Sequence, residues 1–444
     1  MKPLSLSPGA AFALERLENR GYEAYAVGGC VRDSLLGKTP HDWDLTTSAT
    51  PEETAGAFSD CRVIDTGMKH GTVTVLYRGE PLEITTYRTD GVYSDNRHPA
   101  SVTFSRNLRD DLARRDFTVN AMAYHPERGL VDLFGGRSDL AAGLIRCVGN
   151  AEERFREDGL RILRAVRFAS VLAFSIEPET AAAVRRCLPL LSNIAHERVR
   201  EEWNRLLCGK AAPDVLRVFA DLVCAVFPEA APAVTCPQNT AAHCYGVWDH
   251  TLAAIACAPD DLTVRLALFF HDLGKPRVRI ETPEGDRFPK HQEVSAQIAD
   301  RAMRRLRYDN ATREEVVTLI RKHDAPLRPT EAGVRRLLTE LSPATLDRLL
   351  TVKRCDRSAH APGYRDPHPE VEATERLARL ILERGDCISL HTMALTGDDL
   401  IRAGFCPGKE LGQLLLRLFD EVVEGSLPNE KQALLDRAMQ LRRS

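Results

Sequence analysis

The segment Val27-Gly28-Gly29-Cys30-Val31-Arg32-Asp33-Ser34-Leu35-Leu36-Gly37, followed by Asp42-Trp43-Asp44, constrains this 444-residue chain more than any other part of it. The glycine pair lets backbone or a phosphate group approach closely. Two carboxylates one residue apart follow. On a strand, residues i and i+2 point to the same face, so Asp42 and Asp44 aim at one spot. Two carboxylates there repel unless a divalent cation lies between them, and hard oxygen ligands of this kind suit Mg²⁺ carrying substrate phosphates. The implied chemistry is transfer of a nucleotidyl or phosphoryl group. A bare Asp-x-Asp also occurs in solvated turns; the upstream glycines and the downstream segments favour the site.

The length exceeds what one hydrophobic core usually serves, so two to four domains are expected. No apolar run approaches about 18 residues and the N-terminus lacks a charged-then-apolar pattern. A cytoplasmic protein without a membrane segment is therefore expected. The twelve cysteines include no Cys-x-x-Cys pair, which argues against a zinc ribbon or redox dithiol and for reduced thiols. With a net charge of only −3, any nucleic-acid binding must come from local basic patches.

Residues 1 to about 145 read as α/β. Leu14–Asn19 suits a helix end, Glu23–Val27 a strand, Asp33–Leu36 a short helix and Trp43–Thr46 a second strand. The β-branched runs Thr72–Tyr77 and Leu82–Tyr87, split by Arg78-Gly79-Glu80-Pro81, predict a hairpin. Glu83 then stands two strands from the aspartates; it either completes a carboxylate cluster or faces solvent. Asp90 to Pro99 is polar and turn-rich, a long loop beside the site. Arg114-Arg115 supplies forked donors suited to polyphosphate, although such a pair also suits a wet helix surface.

Tyr25 to Thr50 resembles the active-site segment of the bacterial-type (class II) tRNA nucleotidyltransferases and the related poly(A) polymerases. Arg114-Arg115-Asp116-Phe117-Thr118-Val119-Asn120 is similar to a second element of that family, and Leu130 to Gly136 to the strand and turn that close its head. The resemblance implies that Asp42 and Asp44 hold Mg²⁺. It implies that Gly28, Gly29, Arg32 and Asp33 hold the triphosphate and ribose, with Arg114, Arg115, Asp116 and Asn120 assisting. The loop at 90–99 would be the mobile lid carried by complete CCA-adding members.

Beyond about residue 146 strand signals fade. Glu157-Asp158-Gly159-Leu160-Arg161, then Arg164 and Arg167, reads as one helix with Asp158 and Arg161 on a shared face. Such a pair is commonly a surface ion pair, but it also fits base selection. Cytosine and adenine both present an amino donor beside a ring-nitrogen acceptor, whereas uracil and guanine present the opposite order. An Asp acceptor beside an Arg donor admits C and A and leaves unpaired groups facing U or G. In the resembled family this helix selects the nucleotide, with Arg164 and Arg167 next to it.

Further on, His250, His271-Asp272-Leu273-Gly274-Lys275, His291, His323 and Asp356 follow in the order of the HD-domain metal phosphohydrolases. That resemblance implies a single-metal set of His250, His271, Asp272 and Asp356, with His291 and His323 supporting a second ion. A divalent ion that activates water, a transition metal or Mg²⁺, is implied. Lys275 would contact phosphate, and His243 and Asp324 stand outside the primary set. The C-terminal stretch, with an amphipathic helix from Leu411 to Val423, resembles the tRNA-contacting tail of HD-bearing members.

The expected architecture is α+β. A nucleotidyltransferase head with a small mixed sheet (1–145) precedes an all-helical neck (146–210), an HD-type body (211–375, HD portion about 243–360) and a tail (376–444). The expected reaction adds C, C and A to tRNA from CTP and ATP, releasing pyrophosphate, with no obligatory protein partner. A poly(A) polymerase, or a chain in which the HD site does the main work, stands as the alternative.

Overall fold

The computed structural model describes residues 3–91, 102–365 and 369–443. It divides into two units, Met1–Pro228 and Glu229–Ser444. In the first unit the strands are β1 Ala24–Val27, β2 Asp44–Thr47, β3 Arg62–Ile64, β4 Thr72–Tyr77, β5 Glu80–Thr86, β6 Arg88–Asp90, β7 Val102–Phe104, β8 Met122–His125 and β9 Gly129–Asp132. Seven of them form one sheet in the order β3-β4-β5-β2-β1-β8-β9. It is mixed: β2 and β5 run parallel and the other neighbours antiparallel. The β4–β5 hairpin turns on Arg78 and Gly79, both at positive φ (50° and 87°), as a two-residue primed turn requires.

β1 is buried along its whole length. Tyr25 and Val27 pack with Tyr87, Ala123, Leu108 and Leu112. The last two lie four apart on the helix Leu108–Ala113, so one turn of apolar spacing seats that helix and delivers Arg114 and Arg115 from its C-terminal end.

Three local expectations are corrected. The short helix spans Gly29–Leu35, because Gly28 takes the N-cap position and helical hydrogen bonds begin at once behind it. β2 starts at Asp44, so Asp42 lies just outside the strand and the i, i+2 argument does not apply to it. Glu83 is not two strands away: β5 is the parallel neighbour of β2, and Glu83 stands directly opposite Asp44. The expected lid falls largely on 92–101, outside the described residues; its flanks β6 and β7 pair antiparallel from Arg88↔Phe104 to Asp90↔Val102.

The rest of the first unit is helical, with a two-residue ladder joining Leu144–Ile145 to Ser175–Ile176. Asp158 does not share a helix with Arg161. It caps the end of Ala151–Glu157 in extended conformation, and Arg161 lies in the first turn of Leu160–Leu172. Gly159 sits at this break, where a Cβ would lie 3.2 Å from Ile194 Cδ1 and 3.3 Å from the Leu190 carbonyl.

The second unit is helical apart from a small hairpin, Ile280–Thr282 with Gly285–Arg287. The helices Val247–Cys257, Leu262–Phe270, His291–Arg305, Asn310–Lys322 and Pro343–Ser358 carry the six predicted ligands in a terminal turn or just beyond it. The amphipathic stretch lies within Lys409–Glu424, whose Leu418, Phe419, Val422 and Val423 share a core with Leu400, Leu434 and Ala438. Among the described residues, no helix is long and apolar enough to cross a membrane.

Candidate active site and metal centre

In the first unit, Gly28 adopts φ 82° and ψ −131°, a conformation open to glycine and strained for other residues. A Cβ there would lie 2.9 Å from Arg115 Nη1 and 3.8 Å from Asp44 Oδ2, so the glycine, the arginine and the aspartate share one small space. Asp44 and Glu83 face each other across the parallel ladder and are both exposed. Desolvation and the neighbouring Asp42 raise the Asp44 carboxyl against the pull of Arg115. Desolvation, Asp44 and Asp42 likewise raise Glu83. Asp42 thus acts on both Asp44 and Glu83, and carboxylates held this close favour a cation between them.

Arg114 and Arg115 converge on Asp111, which sequence reasoning missed. Arg114 donates to its Oδ1 through Nε (3.0 Å) and Nη2 (2.6 Å), and Arg115 Nη2 to its Oδ2 (3.1 Å). Thr46 Oγ1 adds a bond of 3.2 Å. Burial opposes ionisation of Asp111, but Arg115 and Arg114 outweigh it and hold the carboxyl below its ordinary range. The signal was present, an Asp three and four residues before the arginine pair on one helix face.

A second chain of contacts links the other predicted residues. Arg32 forks onto Asp33 (2.9 Å, twice) and donates to Asn120 Oδ1 (2.6 Å). Asn120 Nδ2 donates to Asp116 Oδ1 (3.0 Å), and Arg164 reaches Asp116 Oδ2 through Nε (2.8 Å) and Nη2 (2.5 Å). Arg167 pairs with Glu202 at 2.5 Å. The guanidinium groups of Arg32, Arg164 and Arg167 lie 5.1, 5.4 and 3.8 Å from the Phe168 ring. Phe168 and Glu202 were not anticipated. Asp158 and Arg161 are joined through the main chain, Arg161 N–H donating to the Asp158 carbonyl (3.0 Å), while their side chains take different partners: Asp158 Oδ2 accepts from Arg198 (3.1 Å), and Arg161 donates to Glu157 (2.6 Å) and the Arg114 carbonyl (3.0 Å).

In the second unit, the structure brings together all six predicted ligands. His250 Nε2 lies 2.8 Å from Asp356 Oδ1 and 3.6 Å from Asp272 Oδ2. His271 Nε2 lies 3.2 Å from Asp272 Oδ2 and 3.5 Å from Asp356 Oδ1. On the other side of Asp272, Oδ1 is 3.4 Å from His291 Nε2, which is 3.3 Å from His323 Nε2. The Nδ1 atoms of His271, His291 and His323 sit 2.6, 3.0 and 2.6 Å from the carbonyls of Leu268, Phe288 and Ile320, each three residues earlier. His250 Nδ1 faces the Ala359 carbonyl at 3.4 Å. A carbonyl at Nδ1 places the proton there and turns the Nε2 lone pair inward, the usual support of a metal-ligating histidine.

Both Asp272 oxygens and His271 Nε2 are buried without a well-directed hydrogen bond, although Lys275 Nζ stands 2.7 Å from Asp272 Oδ2. Burial would lower His271, but Asp272 and Asp356 outweigh it and push it up to about 10. Buried carboxylates that recruit positive charge, with orphaned ligand atoms between them, fit a metal ion. Sequence reasoning left His243 outside this set and passed over His360, one helical turn beyond Asp356.

Three family models match in chain order: "Poly A polymerase head domain" (residues 24–146), "Probable RNA and SrmB- binding site of polymerase A" (173–233) and "tRNA nucleotidyltransferase domain 2 putative" (292–438). The CCA-adding enzyme of Lactobacillus delbrueckii subsp. bulgaricus is 37% identical over 423 residues, covering 95% of each chain. The crystal structure of the Bacillus stearothermophilus CCA-adding enzyme in complex with CTP matches with a TM-score of 0.75 at 32% identity, over 99% of this chain and 98% of that one. The Thermotoga maritima CCA-adding enzyme complexed with tRNA-CCA shares the fold, with a TM-score of 0.61 at 19% identity over 98% and 96% of the two chains.

Proposed function

The chain belongs to the family of CCA-adding enzymes, and on that footing we propose that its first unit adds C, C and A to the 3′ end of tRNA from CTP and ATP, releasing pyrophosphate. The observation that carries this reading is the register that sets Glu83 opposite Asp44, with Gly28 and Arg115 beside them. Asp42 and Asp44 would hold Mg²⁺, with Glu83 adjoining. Bound there, Mg²⁺ supplies positive charge to the attacking and leaving oxygens. Gly28 and Gly29 leave room for the triphosphate, to which Arg115 and Arg114 offer donors oriented by Asp111. Arg32 and Asp33 bind at the ribose side, braced by Asn120 and Asp116. Asp158 and Arg161 read the base by exchanging their present partners, Arg198 and Glu157, for its Watson–Crick edge. Arg164 and Arg167 keep that segment in place through Asp116 and Glu202.

The division of labour follows the expected parts: head to 145, neck to 210, body to 375 and tail beyond, in a cytoplasmic protein whose RNA partner is tRNA. In the body, His250, His271, Asp272 and Asp356 would hold one divalent transition-metal ion, and His291 and His323 with Asp272 a second. Such ions activate water toward phosphorus, so a phosphohydrolase activity is part of the proposal. A phosphodiester substrate with a chromogenic leaving group tests it: metal-dependent release absent in His271→Gln supports the second site, and release unaffected by that change removes it.

The main test supplies purified protein with a tRNA transcript lacking its CCA end, Mg²⁺, CTP and ATP, and sequences the 3′ ends. Addition that stops after one CCA is expected. A long A tract on unrelated RNA would instead make the chain a poly(A) polymerase.

A further inference from the structure

Outside the six predicted ligands, two more imidazoles stand against the same cluster. The His243 ring lies 5.0 Å from that of His250 and 4.6 Å from that of His360; His250 and His360 are 5.5 Å apart. One ring nitrogen from each of the three lies within 4.8 Å of the others. A metal holding imidazoles at about 2.1 Å brings their nitrogens within about 4.2 Å of each other, so small side-chain rotations suffice. The loops bearing the outer pair are clasped by a bond of 2.8 Å from Ala361 N to the Ala242 carbonyl. His243 Nδ1 meets Thr240 Oγ1 at 2.8 Å, which leaves its Nε2 for another partner. His360 Nδ1 is buried with no hydrogen bond, and its Nε2 is 3.9 Å from Asp356 Oδ1.

Access differs between inner and outer rings. His250, His271 and Asp272 are sealed from solvent. His243 lines a cavity of about 480 Å³, and His360 lines another of about 300 Å³ together with His323 and Asp356. His360 therefore opens to the same cavity as the inner ligands His323 and Asp356, and His243 to a separate one. Three neutral nitrogen donors without a thiolate suit Co²⁺, Ni²⁺ or Zn²⁺ better than Mg²⁺.

We propose that His243, His250 and His360 form an outer transition-metal position contiguous with the inner cluster, with His250 Nε2 serving one position or the other, since its Nδ1 faces the Ala359 carbonyl. It rests on the reading of the inner cluster as a metal centre only through that shared ligand, so the two are tested apart. His271 is common to the other two ligand groups, His250–His271–Asp356 and His271–Asp272–His323, and absent from this one. His271→Gln therefore disables the inner cluster and spares the outer position.

The experiment is equilibrium dialysis of the metal-stripped full chain against Co²⁺, with bound metal read by mass spectrometry. The expected result is that His271→Gln retains one Co²⁺, and that adding His243→Gln and His360→Gln weakens its binding at least tenfold. If His271→Gln binds none while the unaltered chain does, the outer position is overturned and the inner centre stands. If the triple variant binds as well as His271→Gln, the ion lies elsewhere and the outer position is again overturned. Binding indifferent to His271→Gln but lost with the outer pair keeps the outer position and overturns the inner one; no binding in any form overturns both. Should circular dichroism show His271→Gln unfolded, diethyl pyrocarbonate labelling of the unaltered chain decides. Co²⁺ then slows modification of His243 and His360 at least threefold, and unchanged labelling overturns the proposal.

Discussion

Asp111 carries no reacting atom, yet it is completely buried and receives donors from Arg114, Arg115 and Thr46. Its charge fixes where Arg115 stands relative to Gly28 and Asp44. Asp111→Asn keeps the shape and removes the charge, so it is expected to cost about 1–3 kcal/mol of stability and to raise the KM for CTP and ATP more than it lowers kcat. Steady-state kinetics with thermal melts checks this; an unchanged KM would deny Asp111 its positioning role. Asp116 allows a prediction in pH. Burial opposes its ionisation, but Arg164 outweighs burial and holds the carboxyl well below the ordinary range. A depressed folded-state pKa adds stability that is complete above the unfolded value of about 3.9 and fades as pH falls through the folded value. Asp116→Asn should therefore lose less melting temperature than the parent as the pH is lowered from about 5 toward 2; parallel curves would remove this ion pair from the acid response. The residue types at both sites were legible because their chemistry is demanding. What Asp111 and Glu202 do was not, since burial decides whether a helix Asp or Glu near an Arg is a surface pair or a brace.

Elements explain the other gaps between expectation and structure. The β4–β5 hairpin was readable from two alternating runs and an Arg-Gly turn, all local signals. The pairing of β2 with β5 was not, because parallel register is set by distant packing, and it is this register that brings Glu83 to Asp44. The sequence placed the short helix only from Asp33, whereas a glycine N-cap at Gly28 lets it begin at Gly29. At Asp158-Gly159 a continuous helical pattern hid a break, and the break gives Asp158 and Arg161 separate partners. Gly28→Ala tests the glycine N-cap. Forcing an alanine into φ 82° costs about 1–3 kcal/mol, and its Cβ meets Arg115 Nη1 at 2.9 Å. Nucleotide addition should fall at least tenfold, accompanied by a lower melting temperature. An alanine variant with full activity would show that the close approach of backbone and arginine is dispensable.

At the scale of the whole molecule, the two units carry different candidate sites, the carboxylates Asp42, Asp44 and Glu83 in the first and imidazoles with carboxylates in the second. The donor types differ in a way that separates their ions: oxygen ligands favour Mg²⁺, and imidazole favours transition metals. The two sets share no residue, so substitutions in them should separate cleanly. Asp44→Asn removes a carboxylate from the first site and is expected to abolish nucleotide addition, with Co²⁺ stoichiometry in the second unit unchanged. His250→Gln is expected to do the reverse, lowering Co²⁺ binding while CCA addition to tRNA keeps its rate within about twofold, the spread left between sites that share no partners. Paired assays on the two variants, primer extension and equilibrium dialysis, decide it. If His250→Gln slowed addition as severely as Asp44→Asn at equal thermal stability, the second metal set would be part of the nucleotidyl-transfer machinery rather than a separate centre, and the assignment of one activity to each unit would fail.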